Sequence, residues 1–63
     1  MAFYRLYLMD SKNRIETYRE FEASDDIDAV LIANGWQGTS PMELWSGARK
    51  INRWPAIPLR AAD

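Results

Sequence analysis

The sequence predicts an α+β domain of ββαββ type, with a single helix packed on a small, mainly antiparallel sheet. Residues 3 to 9 alternate as strand residues do. An acidic stretch precedes apolar residues at helical spacing, and two short segments separated by a turn follow them. The length of 63 residues allows one domain. We expect that domain over residues 1 to 54, and an extended, proline-containing C-terminal tail over residues 55 to 63.

The first predicted hairpin joins two strands near the N-terminus. Between Phe3 and Met9 the period of two places Tyr4, Leu6 and Leu8 on one face and Phe3, Arg5 and Tyr7 on the other. Asp10 to Asn13 is a turn cluster, and Asn13 can adopt the left-handed conformation that closes such a turn.

The second predicted strand, from about Arg14 to Phe21, alternates less clearly. Arg19 shares its parity with Ile15 and Phe21, so a charge occupies a predicted core position. A β-bulge near Tyr18 to Glu20 would redirect the residues after it. A snorkelling Arg19 at the sheet margin explains the pattern equally well, and both interpretations stay open here.

An amphipathic helix of about three turns is predicted after the second strand. Ser24 is a suitable N-cap, and the first turn holds acidic side chains that the helix dipole favours, Asp25, Asp26 and Asp28. Ile27, Val30, Leu31 and Asn34 recur at helical spacing. Gly35 can supply a left-handed residue at the C-terminus, with Trp36 then contacting Leu31 in a Schellman cap.

The C-terminal part predicts a second hairpin. Gln37 to Pro41 has loop composition, Met42 to Trp45 alternates again, and Ser46-Gly47 offers a tight turn into the segment from Ala48 to Trp54. One continuous strand with a glycine bulge at Gly47 would fit the same letters, so this point stays open. With one helix as the only cover, we expect one face of the sheet to remain exposed in a monomer.

Composition argues against several classes of function. The chain has no histidine and no cysteine, so the common catalytic bases, thiol nucleophiles and metal ligands are missing, and we expect neither an enzyme nor a cofactor. Asp25, Asp26 and Asp28 lack the spacing of a calcium loop, and the isolated glycines do not form a phosphate loop. No metal site and no small-molecule substrate are therefore inferred. Without a signal or membrane segment, a cytoplasmic protein is expected.

Aromatic and basic residues form the candidate binding site. The six candidates for partner binding are Arg5, Tyr7, Trp45, Arg49, Arg53 and Trp54. They predict a protein-interaction surface, with a homodimer as one form of it, because Tyr, Trp and Arg are the usual hot-spot residues. The alternative is a nucleic-acid-binding surface that combines stacking rings with cations, which the net charge of −1 makes less favourable. A third interpretation is that the tryptophans cover a small core.

Three segments carry a resemblance to other sequences. They are Phe3 to Asp10 (FYRLYLMD), Phe21 to Asp26 (FEASDD) and Glu43 to Lys50 (ELWSGARK). In these segments the chain resembles a group of short bacterial proteins to which no established activity, cofactor or catalytic residue attaches. Lys12-Asn13 departs from that pattern, in which a glycine often closes the first hairpin. The resemblance implies a small bacterial cytosolic domain and nothing about mechanism.

Overall fold

The computed structural model describes residues 1–56 and has the predicted ββαββ order. Its elements are β1 (Ala2–Met9), β2 (Ile15–Ala23), α1 (Asp26–Asn34), β3 (Met42–Ser46) and β4 (Arg49–Trp54). The α+β fold class is thereby confirmed. Pro55 and Ala56 have no regular secondary structure, and the remainder of the predicted tail, residues 57–63, lies outside the described residues.

The four strands form one sheet in the order β2-β1-β3-β4, and each neighbouring pair is antiparallel. β1 and β3 are therefore the central strands, and β2 and β4 are the two edges. Leu6 on β1 lies opposite Arg19 on β2 and Leu44 on β3, which brings the two apolar side chains together beneath the helix.

The turn of each hairpin contains a residue with a positive φ angle. Asn13 has φ 61°, as its position in the turn predicted, and the Asp10 carboxylate accepts backbone N–H bonds from Lys12 at 2.8 Å and Arg14 at 2.9 Å. These bonds lower the pKa of Asp10, and the bond from Arg14 has the largest effect. Gly47 also has φ 61° and connects β3 to β4. The second hairpin is therefore confirmed, and the single continuous strand is wrong.

The irregularity in β2 lies nearer the turn than the sequence suggested. Leu8 faces Thr17 and Met9 faces Ile15, so Glu16 is the extra residue of a bulge. Of the two interpretations left open for this strand, the bulge near Tyr18 to Glu20 is wrong. Arg19 instead extends along the sheet margin with its guanidinium 5.4 Å from the centre of the Trp36 ring, as the snorkelling interpretation proposed.

The helix packs through small residues. Ala29 and Ala33 are completely buried, and the core beneath them is formed by Tyr4, Leu6, Ala23, Met42, Leu44 and Trp54. Ile27 and Leu31, predicted to face the core, are 73% and 64% exposed. The prediction that these two side chains face the core is wrong. The side of the helix with Ala29 and Ala33 faces the sheet instead, because small side chains allow the helix backbone to lie closer to it. Val30, also in the predicted stripe, packs against the core while partly buried.

Both ends of α1 differ from the predicted caps. Asp25 is the N-cap, with its carboxylate accepting the Asp28 N–H at 2.8 Å, whereas Ser24 lies one residue earlier and donates its hydroxyl to Asp28. Gly35 is right-handed, with φ −67°, and its N–H bonds to the Ile32 carbonyl at 3.1 Å. The helix thus ends by tightening its last turn, and the expected left-handed cap is wrong.

Trp36 follows the helix and turns toward the sheet. Its ring meets Phe21 edge-on, with 5.5 Å between the ring centroids. The predicted contact with Leu31 does not fit this position, because Leu31 lies on the outer side of the helix. Within residues 1–56 no helix has the length and apolar character needed to cross a membrane.

Leu6→Ala and Leu31→Ala form a matched pair that tests the helix orientation. Leu6 has no exposed surface, so its truncation should leave a cavity and cost about 2–5 kcal/mol of the free energy of unfolding. Truncation of the exposed Leu31 should change it by no more than about 0.5 kcal/mol. Urea unfolding followed by circular dichroism measures both, and a large loss in Leu31→Ala would contradict the orientation.

Candidate interaction surface

The face of the sheet that α1 does not cover, called the open face below, carries most of the candidate side chains. Its members follow from the strand register, in which Arg5 lies opposite Glu20 and Trp45, and Glu43 lies opposite Arg53. Residues directly opposite one another in a sheet share a face. The open face consists of Phe3, Arg5, Tyr7, Tyr18, Glu20, Glu22, Glu43, Trp45, Lys50 and Arg53.

Aromatic rings occupy the middle of the open face. Tyr7 and Tyr18 lie opposite each other on β1 and β2, with their ring centroids 6.2 Å apart. Trp45 is half-buried, and its indole N–H donates to Glu43 at 3.1 Å. Phe3 stands at one end of β1 and is 73% exposed. Burial of such a row of rings against a partner has a low desolvation cost.

The charged groups of the open face are paired with one another. Arg5 donates to Glu20, with its Nε at 3.2 Å, and its guanidinium lies 4.7 Å from the centre of the Tyr18 ring. Hydrogen bonding to Glu20, and to a smaller extent to Tyr7, raises the pKa of Arg5. Glu43 is shared by Lys50 and Arg53, each with a nitrogen 3.5 Å away. The rings are therefore bordered by ion pairs rather than by uncompensated charge.

Two depressions lie next to Tyr7 on the open face. One has a volume of about 240 Å³ and is lined by Phe3, Tyr4, Arg5, Tyr7, Glu20 and Gly47. The other has about 300 Å³ and is lined by Tyr7, Ile15, Glu43, Trp45 and Gly47. One volume is below the range for small-molecule pockets and the other is at its low end. They are large enough to receive one or two side chains of a partner.

The structure brings together four of the six predicted site residues and separates two. Arg5, Tyr7, Trp45 and Arg53 lie on the open face. Trp54 is in the core, 6% exposed, with its indole N–H donating to Asn34 at 2.6 Å. Arg49, Arg53 and Trp54 therefore do not form the common surface that the sequence predicted.

A bulge in β4 moves Arg49 to the helix side, whereas Trp54 lies there by ordinary alternation with its neighbour Arg53. Lys50 lies opposite Trp45 while Asn52 lies opposite Leu44, so Ile51 is the extra residue. Arg49 and Trp54, on either side of this irregular stretch, both end on the helix side of the sheet. Simple alternation along β4 would place Arg49 on the same face as Arg53, so it does not predict this shift.

Sequence reasoning left six members of the open face out of the candidate site, namely Phe3, Tyr18, Glu20, Glu22, Glu43 and Lys50. Tyr18 and Glu20 lie opposite Tyr7 and Arg5, a pairing that depends on the β1–β2 register. The bulge at Glu16 hides that register in the sequence. Glu43 alternates with the buried Leu44, which is a signal that the sequence did contain.

Arg49 belongs to a polar cluster at the start of the helix. Asp26 accepts the Tyr4 hydroxyl at 2.8 Å and pairs with Arg49, whose Nη1 lies 2.9 Å from the other carboxylate oxygen. Arg49, and after it Tyr4, lower the pKa of Asp26, and the bond to Asp26 raises the pKa of Tyr4. The cluster ties the helix to β1 and β4, which is a structural role.

Comparison with known proteins adds no relative on which to base a function. No protein-family model, no curated protein and no solved structure matches the chain. Among residues 1–56 no group of three or more acidic, histidine or cysteine side chains is placed to hold a metal ion. The function is therefore argued from the geometry of the open face.

Asp26→Asn tests the polar cluster through its pH dependence. The folded state lowers the pKa of Asp26, so the ionised carboxylate stabilises the fold above its unfolded pKa of about 3.9, and this contribution is lost as the pH falls through the folded value. Asp26→Asn should therefore melt below wild type at pH 7, and the difference should narrow in acid. Thermal melts from pH 7 to about pH 3 measure this, and a constant difference would contradict it.

Proposed function

We propose that this chain is a small, non-enzymatic protein-interaction module that binds a protein partner through its open face, a second copy of the chain being one such partner. The observation that supports the proposal is the set of aromatic side chains on a sheet face that α1 leaves uncovered. An exposed apolar patch with a polar border is characteristic of an interface.

The arrangement of this face resembles the usual anatomy of a protein interface. Tyr7, Tyr18 and Trp45 are at its centre, and these are residue types enriched at hot spots. The ion pairs of Arg5 and Glu43 lie around them and remain partly exposed. A partner can bury the rings while the charges stay solvated, which avoids the cost of desolvating them.

The two depressions indicate what the partner presents. Each is lined by both aromatic and charged residues, and Tyr7 and Gly47 line both of them. A partner surface with apolar side chains spaced to enter both, and polar groups beside them, fits this pattern better than a flat polar surface. Specificity would come from the two depressions, and most of the affinity from covering the rings.

Nucleic acid is the second candidate, because Tyr7 and Trp45 could stack bases while Arg5 and Arg53 contact phosphates. The ion pairs argue against it. Arg5 is engaged by Glu20, and Arg53 and Lys50 share Glu43, so a phosphate has to compete with a carboxylate at each of these cations. Nucleic-acid surfaces instead have basic side chains in excess.

Affinity capture tests the proposal with matched variants. Tagged wild-type protein, Tyr7→Ala, Trp45→Ala and, as a control on the helix side, Leu31→Ala are incubated with native extract, one half of it treated with nuclease. Wild type and Leu31→Ala should retain the same protein in both halves. Loss of a hot-spot side chain should weaken binding by about thirtyfold or more, as measured by titration calorimetry with the purified partner.

The other outcomes each have a definite meaning. If both open-face variants keep the partner at wild-type affinity, the surface is wrong. Partners that disappear on nuclease treatment would favour the nucleic-acid alternative, which then requires binding that falls steeply with salt. Circular dichroism of each variant shows whether a lost interaction reflects the surface or an unfolded chain.

A further inference from the structure

The two edge strands of the sheet form a second surface, which borders the open face and shares its outermost charged side chains. β2 is an edge strand of nine residues, and the six from Ile15 to Glu20 are all exposed. β4 is the opposite edge, and most of its residues are exposed as well. An uncovered edge strand presents unpaired backbone groups that can pair with another strand.

The edges carry opposite charge. β2 contains three glutamates, Glu16, Glu20 and Glu22, against the single cation Arg19. β4 contains Arg49, Lys50 and Arg53 and no acidic residue. Like charges directly opposite in a sheet are destabilising, whereas opposite charges stabilise the pairing. Two copies joined β2 to β2 or β4 to β4 would bring like charges together, and only β2 with β4 brings unlike charges together.

Strand direction permits this unlike pairing. Each neighbouring pair in the order β2-β1-β3-β4 is antiparallel, so β2 and β4 of one copy run in opposite directions. A second copy placed beside the first in the same orientation therefore presents its β4 antiparallel to the first copy's β2. The sheet can continue across the junction with the hydrogen-bond pattern that it already has.

We propose that copies of this chain associate edge to edge, with β2 of one copy pairing antiparallel with β4 of the next. The occupant of each edge is thus a second copy of the same chain. The contact is heterologous, because different surfaces meet, so it adds copies in a row or closes into a ring. It does not use the centre of the open face, and it holds or fails independently of the function proposed above.

Charge spacing selects the register of this contact. Glu20 and Glu22 are two residues apart and share the open face, lying opposite Arg5 and Phe3. Lys50 and Arg53 reach the same Glu43, and the bulge at Ile51 places them opposite Trp45 and Glu43, which are also two residues apart. Glu22 aligned with Lys50 therefore puts Glu20, which also holds Arg5, beside Arg53, so the two cations that share Glu43 each gain a carboxylate of the next copy.

The competing explanation is that the charges on the two edges only keep copies apart, as they do in many monomeric proteins. It predicts a monomer at every concentration. Sedimentation velocity over a concentration series at low salt decides between the two, since screening weakens exposed ion pairs. Edge pairing predicts association that falls as salt rises, and a monomer throughout the series overturns it.

Charge exchange at one pair tests the register. Glu22→Lys and Lys50→Glu each place like charges at the junction and should weaken self-association by about tenfold. Glu22 takes part in no ion pair within residues 1–56, and Glu43 keeps Arg53 when Lys50 changes, so both variants should stay folded. Lys12→Glu, in the turn before β2, makes the same charge change as Lys50→Glu outside both edge strands and should associate as wild type does.

A mixture of the two variants gives the decisive measurement. Alone, each variant keeps the Glu20–Arg53 pair but has one pair of like charges at every junction. In an equal mixture, the lysine introduced by Glu22→Lys meets the glutamate introduced by Lys50→Glu at one junction, and the original Glu22 meets the original Lys50 at the other. Association should return to about the wild-type level. Mixtures that stay monomeric, or single variants that associate normally, overturn the proposed register. Trp45→Ala distinguishes this contact from a face-to-face dimer, because edge pairing should survive it.

Discussion

A single helix can cover only one face of a sheet, and this constraint determines what the described part of the chain exposes. α1 has nine residues and lies on the side where Leu6, Met42 and Leu44 are completely buried. The opposite side has no second layer within residues 1–56, so its tyrosines and its tryptophan stay in contact with solvent. The candidate interaction surface is a consequence of that imbalance between two faces and one helix.

The contact between helix and sheet is close because alanines make it. Ala29 and Ala33 bring the helix backbone near the sheet, and the Cα positions extend only 14 Å in the shortest direction. So thin a core has few large side chains to hold the two layers in place. Polar contacts supplement it at both ends of α1, where Asp26 holds Tyr4 and Arg49, and Asn34 accepts a hydrogen bond from Trp54.

The predictable parts of this fold are the local ones. Alternation in β1 separates Tyr4 and Leu6 from Arg5 and Tyr7, and the turns at Asn13 and Gly47 follow from the conformations that those residues tolerate. Part of the candidate site could be found for the same reason, since it lies on short, regular strands.

The remainder depends on long-range packing. The helix is apolar on several sides, with Val30, Leu31 and Ile32 in succession, so spacing alone does not show that its alanines face inward. Bulges at Glu16 and Ile51 shift the registers of both edge strands, and the shift at Ile51 places Arg49 on the opposite face from Arg53. One missing or added residue in a strand exchanges its two faces, which a sequence pattern does not reveal.

The position of β1 beside β3 also affects how the chain folds. Each hairpin joins neighbouring segments and can form within microseconds, whereas the central pair joins Leu6 to Leu44 across the whole of β2 and α1. Closing that large loop costs chain entropy before the core contacts can compensate for it. The slow step in folding is therefore expected to be the meeting of two preformed halves, with the helix docking as the central strands pair.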